Sequence, residues 1–445
     1  SEMCIRDRIN SLTGMPDLIG QKSNESNSSN KIFETEIALI KIFESYSLNE
    51  IRTPALENES LFNRSVGDSS DIVNKELYTF LDKNKKKISL RPEGTAGVAR
   101  SIIEKKLDNE THRFWYLGPM WRYERPQKGR YRQFYQAGIE LLGYSEGLAE
   151  LEMISMILSI NDALGIKNSK IKINHLGNKD AKDQFCEALK NYLEPFSSKL
   201  EKLDLDRLNK NPLRVLDSKS EQTKDILKDA PKMNEFVSKE SLDLLNLIKN
   251  SFSEHNIEID YSLVRGLDYY TGFIFEAISD DLGAQDSYLG GGRYDNLFSD
   301  LGGKKLPAIG MAIGIERLAE ISNYSVENKT LISFIVLSDK IEQNAYKIAH
   351  EFRYLNNNII IEVQLSDGSL KSKLRKANKD KADFAIIIGD EELKNKTLVL
   401  KPLKENDSDQ KILSIEDAKK FISSLNWEIK LWMIFMTIIC GLYRF

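Results

Sequence analysis

Two apolar and aromatic runs, Phe114–Trp121 (FWYLGPMW) and Phe134–Gly143 (FYQAGIELLG), flank a polar loop, and this arrangement constrains the fold more than any other stretch. Runs of this composition read as strands, and the loop centred on Gln127-Lys128-Gly129 makes them an antiparallel pair. The second run also sets a polarity. Gln136 and Glu140 are four residues apart, so the two-residue repeat of a strand puts both on one face, together with Gly138. Ile139 and Leu141 point the other way. A polar face backed by an apolar one lines a cleft, with the core behind it.

Around this pair the periodicity changes repeatedly over 445 residues, a length that suggests two or three domains. Within residues 31–46, Phe33, Ile37, Ile40 and Phe43 recur at three- and four-residue spacing, which predicts an amphipathic helix buried on that stripe. A short strand follows from Glu50 and is stopped by Pro54. Leu148–Leu164 is a second expected helix, closed by Gly165, and Lys170–Asn174 returns to strand. From about 178 to 256, Lys, Asp, Leu and Asn dominate with helical periodicity, which predicts a helical insertion. Strand-forming residues and glycines resume from Asp260, through Tyr269–Ala277, Gly290–Tyr294 and Leu306–Arg317.

After Ile321 a polar stretch (SNYSVENK) marks a linker. Strands at Leu331–Leu337, Asn358–Gln364, Asp383–Gly389 and Thr397–Lys401 then alternate with helices at Lys340–Tyr354, Ser369–Asn378 and Ile415–Leu425. That order predicts a small α/β domain with a mainly parallel sheet. The expected divisions are 9–177 and 257–325 for a core in two parts, 178–256 for the insertion, 330–426 for the last domain and 427–445 for a tail. Neither Ser1–Arg8 nor the apolar stretch Leu431–Tyr443 is expected to belong to these domains. The latter is 13 residues, short of the roughly 20 that span a bilayer, and reads as a terminal helix or an extension, so no membrane partner is expected.

Charge narrows the function classes. Lys and Arg number 63 against 67 Asp and Glu, so no global positive field gathers polyanions, and any nucleic-acid contact must be local. The loop Arg122–Gln133 supplies one local concentration, with Arg122, Arg125, Lys128, Arg130 and Arg132 against Glu124. Lys371, Lys373, Arg375, Lys376, Lys379 and Lys381 supply another. Each reads either as a solvated face or as a phosphate grip, for which planar guanidinium donors are suited. Three cysteines (Cys4, Cys186, Cys440) and four scattered histidines show no metal-ligand spacing, so no metal site is assigned, and the usage fits a reducing cytoplasm.

Four further segments carry chemistry. In Leu90–Gly97 (LRPEGTAG), Glu93 and Thr95 offer a carboxylate and a hydroxyl to a pocket, or else a charge at a helix start. Arg265–Tyr270 (RGLDYY) combines a guanidinium, a carboxylate and two phenols, either as an anion site or as an ion pair with packed tyrosines. Gly290–Asp295 (GGGRYD) and Ala308–Leu318 (AIGMAIGIERL) are glycine-rich, each with an arginine near its end. Neither matches the patterns that cradle nucleotide phosphates in P-loop or dinucleotide folds.

Taken in order from about residue 10 to about 425, these segments resemble the histidyl-tRNA synthetase family. Lys31–Pro54, Phe114–Gly143 and Ala308–Leu318 resemble the three motifs of class II synthetases, while Leu263–Tyr270 and Gly290–Asp295 resemble its histidine-specific segments. The resemblance implies an α+β protein. Its catalytic domain would be a six-stranded antiparallel sheet flanked by helices, with a helical insertion, and a small α/β anticodon-binding domain would follow. It also implies a homodimer built on the first motif, and a reaction in which L-histidine and ATP, with Mg²⁺, form histidyl-adenylate before transfer to tRNA(His).

Carried over by position, Arg122 would hold the α-phosphate and the histidine carboxylate. Arg317 would hold the γ-phosphate end and the adenine face, and Arg265 would stabilise the attack near the α-phosphate. Glu93, Thr95 and Gln136 would fix the amino group, with Arg122, Arg265, Arg317 and Glu93 forming the catalytic set. Glu140 and Tyr270 would bind the two imidazole nitrogens, Tyr269 would line the pocket, and Arg125 and Gln127 would reach the extra 5′ guanosine of the tRNA. The resemblance also leaves room for a non-catalytic, synthetase-like regulatory or tRNA-sensing protein. Such proteins usually lose part of this constellation, whereas Arg122, Arg265 and Arg317 are all present here.

Overall fold

The computed structural model describes residues 10–20, 29–67, 70, 72–127, 129–283, 286–325, 329–337, 342–365, 367–404 and 410–425. Lys128, Ser1–Arg8, Cys4, Cys440 and the 427–445 tail lie outside them. The chain divides between Tyr324 and Ser325 into two compact units.

Strands of the first unit are β1 (Asn49–Glu50), β2 (Leu56–Asn58), β3 (Thr79–Leu81), β4 (Lys87–Leu90), β5 (His112–Trp121), β6 (Gln133–Leu142), β7 (Ser169–His175), β8 (Ile257–Ile259), β9 (Phe273–Ser279), β10 (Ser287–Arg293) and β11 (Ala308–Gly314). Its helices are α1 (Ser29–Ser45), α2 (Glu59–Val66), α3 (Thr95–Glu104), α4 (Leu148–Leu164), α5 (Lys179–Leu193), α6 (Lys202–Lys210), α7 (Glu221–Leu227), α8 (Lys239–Ser251), α9 (Leu297–Asp300) and α10 (Ile315–Ile321). The expected hairpin is β5–β6, paired antiparallel along its full length.

Eight strands form one sheet in the order β1-β5-β6-β11-β10-β9-β7-β8. The central six pair antiparallel, while β1 and β8 lie parallel to their neighbours at the two edges. The six-stranded antiparallel sheet implied by the resemblance is thus present with a short parallel strand added at each end. A separate small sheet, β2-β4-β3, is antiparallel. Between β7 and β8 the regular elements are helical throughout.

Period-two alternation sorts the large sheet into two faces. Ala137, Ile139 and Leu141 of β6, Ile309, Met311 and Ile313 of β11, and Phe273, Phe275 and Ala277 of β9 enter one core, shared with α1, α4, α8 and α10. The opposite face meets α3 and the stretch from α5 to α7 in a second core, through residues such as Val98, Ile102, Phe185, Leu189 and Val215. α4 spans the expected Leu148–Leu164 and ends at Gly165, whose φ of +66° is the left-handed turn that favours glycine.

The stripe expected for α1 is corrected. Ile32, Thr35, Ala38, Leu39, Ile42 and Phe43 are buried, whereas Phe33 is 59% exposed and Ile37 and Ile40 are half-buried. Apolar residues occupy more than one side of this helix, so spacing alone permits two phases. Packing against α4 and α10 selects the one through Leu39 and Ile42.

In the second unit β12 (Thr330–Val336), β13 (Ile359–Val363), β14 (Phe384–Ile388), β15 (Thr397–Pro402) and β16 (Lys411–Ser414) combine with α11 (Glu342–Arg353), α12 (Leu370–Lys379), α13 (Asp390–Lys394) and α14 (Ile415–Ser424). Strand order is β13-β12-β14-β15-β16, with the first two pairings parallel and the last two antiparallel. The sheet is therefore mixed, and not mainly parallel as the alternation suggested. Only eight residues separate Ile388 from Thr397 and Pro402 from Lys411, which is too few for a parallel crossover of a dozen or more.

Candidate active site

A cleft of about 500 Å³ opens on the face of the large sheet opposite the first core. Its floor is low because the strands place small residues there. Gly138 pairs with Ala312, Ala312 with Gly290, and Gly290 with Glu276, so one row crosses four strands with a single large side chain. In the adjoining row Glu140 pairs with Gly310, where a Cβ would collide with the Glu140 carboxylate. Gln136 lines this cleft and Glu140, on the same face of β6, is buried just behind the lining Gly310 and Tyr294, while Ile139 and Leu141 enter the core, as the alternation of β6 requires.

At one end Glu140 is fully buried, with hydroxyls on both carboxylate oxygens. Thr95 Oγ1 donates to Oε1 at 2.7 Å and the Tyr294 hydroxyl donates to Oε2. Glu93, 3% exposed, accepts the backbone N–H groups of Thr95 and Ala96 at 2.7 and 2.9 Å. The two readings of Glu93 therefore coincide: its carboxylate caps the start of α3 and also faces the cleft. Gln136 Oε1 is buried, with no hydrogen-bond partner among the described residues. Such an acceptor is costly unless a ligand donor reaches it. Tyr269 and Tyr270 pack at a tilt of 54° with ring centroids 4.7 Å apart, and Tyr294 meets Tyr269 edge-on at 5.7 Å.

Burial raises the Glu140 carboxyl from 4.5 to about 8, although the Tyr294 and Thr95 hydroxyls pull it back. Between those values the folded chain keeps a proton that the unfolded chain has released. Stability therefore falls as pH rises through that window. Glu140→Gln should remove this slope, so in urea unfolding at pH 5 and pH 8 the variant gains on the parent at the higher pH. An equal difference at both pH values would contradict the burial argument.

At the other end stand three guanidiniums, besides that of Arg130, which is ion-paired with Glu124 at 2.7 Å. Arg265 Nη1 donates to Glu276 Oε1 at 2.6 Å, and its Nε is buried without a hydrogen-bond partner among the described residues. A Cβ at Gly290 would collide with this guanidinium, so the glycine is what allows it to lie on the sheet. Arg122 Nε donates to the Pro92 carbonyl at 2.9 Å, and its guanidinium sits 5.2 Å over the Phe134 ring. Arg317 donates to the carbonyls of Gly129 at 3.0 Å and Ser287 at 2.6 Å, which ties the basic loop to α10. Burial lowers the Arg317 pKa, and the positive Arg130 and Arg122 lower it further. Cations crowded in this way are relieved by an anionic ligand.

The sequence-derived residues of the amino-acid and ATP sets therefore meet at one cleft: Glu93, Thr95, Arg122, Gln136, Arg265, Tyr269, Tyr270 and Arg317 line it, and Glu140 is fully buried behind the lining Gly310 and Tyr294. Arg125 and Gln127 lie elsewhere, exposed in the β5–β6 loop, where Gln127 and Arg130 exchange two backbone hydrogen bonds at 3.1 and 2.9 Å. Among the cleft residues not expected from the sequence are Glu276 and Tyr294. Glu276 is the lone carboxylate in the apolar strand FIFEAIS, which is itself a signal. Tyr294 lies within GGGRYD, where the glycines and the arginine are the conspicuous residues.

Arg293 holds that last segment in place. At 2% exposure, its Nε donates to Glu150 Oε1 at 2.7 Å and its Nη1 to Asp295 Oδ1 at 2.9 Å and the Tyr144 carbonyl at 3.1 Å. Arg293→Met leaves Glu150 and Asp295 without their cation and should lower the unfolding free energy by about 3–5 kcal/mol, read by urea denaturation. A loss under about 1 kcal/mol would mean that the carboxylates find other partners.

Residues 24–318 match the family model described as Histidyl-tRNA synthetase, and residues 332–425 match that described as Anticodon binding domain. A "Histidine--tRNA ligase" of Francisella philomiragia is 39% identical over 414 residues, covering 91% of this chain and 96% of that protein. One from Wolbachia pipientis is 44% identical over 359 residues, covering 80% and 87%. The crystal structure of apo S. aureus histidyl-tRNA synthetase superposes with a TM-score of 0.75 at 29% identity, covering 94% of this chain and all of that one. With the family model spanning well over half of its length, and with a glycine-floored cleft that joins a buried carboxylate to three guanidiniums, this chain belongs to the histidyl-tRNA synthetase family.

Proposed function

We propose that this cleft is where the chain performs the reaction of its family, the ATP-dependent ligation of L-histidine to tRNA(His). One observation carries the assignment: a desolvated carboxylate ringed by hydroxyls shares a single cleft with three crowded guanidiniums, so a ligand with a polar ring and one with phosphates are held side by side. Histidine's carboxylate attacks the α-phosphorus of ATP, pyrophosphate leaves, and the histidyl group passes from the adenylate to a ribose hydroxyl at the tRNA 3′ end, releasing AMP.

Glu140 and Tyr270 take the two imidazole nitrogens, Tyr294 holds Glu140 in place, and Tyr269 walls the ring. A site that pairs both nitrogens discriminates strongly against side chains that cannot satisfy them. Glu93, Thr95 and Gln136 take the amino group, and the orphaned acceptor of Gln136 suits an ammonium donor. Arg122 spans the histidine carboxylate and the α-phosphate. Arg265 opposes the charge that builds on the α-phosphate during attack, and Arg317 holds the far phosphates and the adenine. Preorganised cations of this kind stabilise developing charge without moving during the reaction.

Magnesium fits as a companion of ATP and not as a resident ion. No cluster of three or more ligating side chains occurs among the described residues, while Glu276 and Asp286 line the cleft. One or two carboxylates plus substrate phosphates are what Mg²⁺ uses, and it would supply further charge neutralisation there. For tRNA, Arg125 and Gln127 on the exposed loop reach the 5′ end, while the 330–426 domain reads the anticodon.

The remaining assignments are coarser. We take 9–177 and 257–325 as the catalytic core and 178–256 as its insertion. The apolar side of α1 that the core leaves uncovered, with Phe33 exposed and Ile37 half-buried, supports a homodimer. No helix of the described residues is long and apolar enough to cross a membrane, and Cys186 is a free thiol, which agrees with a cytoplasmic enzyme. The test is ATP–pyrophosphate exchange across the twenty amino acids. Histidine alone should support it, and exchange driven by another amino acid, or by none, would overturn the reading.

A further inference from the structure

Arg265–Tyr270 has no regular secondary structure, so its backbone polar groups must be satisfied from outside the segment. Donors arrive from the helical stretch between β7 and β8. Arg214, in the 3₁₀ turn Pro212–Asp217, donates from Nη2 to the Gly266 carbonyl. Asn211, immediately before that turn, donates to Asp268 Oδ1 at 3.0 Å, and Lys182 of α5 reaches the Tyr270 carbonyl at 3.4 Å. Three side chains of one stretch thus hold alternate residues immediately beyond Arg265. The turn that carries Arg214 is itself fixed, since Leu213 and Val215 are buried in the same core as Tyr269 and Tyr270. From the opposite side the Asp268 N–H donates to the Val66 carbonyl at 3.2 Å, and Gly67, at φ +87°, leaves the space that the Asp268 carboxylate fills.

We propose that Arg214 is a positioning residue for adenylate formation: by holding the Gly266 carbonyl it keeps the Arg265 guanidinium on Gly290 beside Glu276. Arg214 thereby sets the rate of the first step and not the affinity for histidine. This rests on the functional reading above. The separation follows from where the parts are anchored. Glu140, Gln136 and Thr95 sit on β6 and α3, and Tyr270 is buried against Tyr269 with its carbonyl held by Lys182, so none of them depends on Arg214. Arg265 is joined to Gly266 directly, and its side chain is 20% exposed, so the backbone clamp is its nearest constraint besides Glu276.

The experiment compares the full-length parent with Arg214→Met, which keeps the aliphatic stem and removes the donors, and Arg214→Lys, which restores one N–H. One donor suffices because a single carbonyl is to be held. In histidine-dependent ATP–pyrophosphate exchange, Arg214→Met should lower kcat roughly 10- to 100-fold, the scale of a misplacement of about 1 Å, with KM for histidine within about threefold. Arg214→Lys should recover most of the rate. The proposal is overturned if Arg214→Met stays within about twofold of the parent, if KM for histidine rises in proportion to the lost kcat, or if Arg214→Lys is as impaired as Arg214→Met. Should Arg214→Met fail to fold, Arg214→Gln carries the same test, because it is too short to hold the Gly266 carbonyl while keeping a polar side chain at that position. A parent without exchange defeats the functional reading, whereas parity of the variants with an active parent defeats this proposal alone.

Discussion

Replacing Arg265 with alanine should slow histidine-dependent ATP–pyrophosphate exchange by about 10²–10³-fold, the typical cost of losing one preorganised donor at a developing charge. The guanidinium is held from two directions, by Glu276 at 2.6 Å and by the backbone clamp at Gly266, and it lies where only a glycine leaves room. Its buried Nε remains available to a ligand. Circular dichroism and the unfolding midpoint should change little, because the Glu276 side chain left behind is 23% exposed and can be hydrated. Loss of exchange together with loss of folding would assign Arg265 a structural role. A variant within tenfold of the parent would remove it from the catalytic set.

The second large effect concerns selectivity. Glu140→Ala removes the carboxylate proposed to bind the imidazole and leaves the Thr95 and Tyr294 hydroxyls without their acceptor. The expected loss is roughly 2–4 kcal/mol of transition-state binding, or about 30- to 1000-fold in kcat/KM for histidine. Phenylalanine, which offers no ring nitrogen, should lose far less, so the ratio of the two amino acids falls with it. Equal losses for both would mean that Glu140 supports the pocket without reading the ring.

How much of this is legible in the sequence depends on range. The polarity of β6 needs only a repeat of two, so spacing alone assigns Gln136 and Glu140 to the cleft face and Ile139 and Leu141 to the core, where they are found. The phase of α1 is not legible, because apolar residues on several sides allow more than one buried stripe and the neighbours α4 and α10 choose between them. The second sheet is half legible. Alternation indicates its parallel part, and the eight-residue connectors carry the signal for the rest.

The cleft floor shows the deeper limit. Gly138, Ala312, Gly290 and Glu276 meet only because four strands share one register, and no single segment contains that row. The grip of Arg214 on Gly266 joins residues 52 apart in the chain, with no periodicity to connect them. Tyr294 illustrates the same point. GGGRYD is conspicuous for its glycines, yet the hydroxyl that reaches Glu140 comes from 154 residues away.

The most direct measurement is the charging of tRNA(His) with labelled histidine in the presence of ATP and Mg²⁺, by the full-length chain and by Arg265→Ala. A cleft that activates and transfers histidine predicts acid-stable, base-labile label on the tRNA with the parent chain and a loss of about 10²–10³-fold in the variant. Histidine or tRNA binding by the parent chain with no charged product would contradict it, and would leave a synthetase-like fold that binds without catalysing.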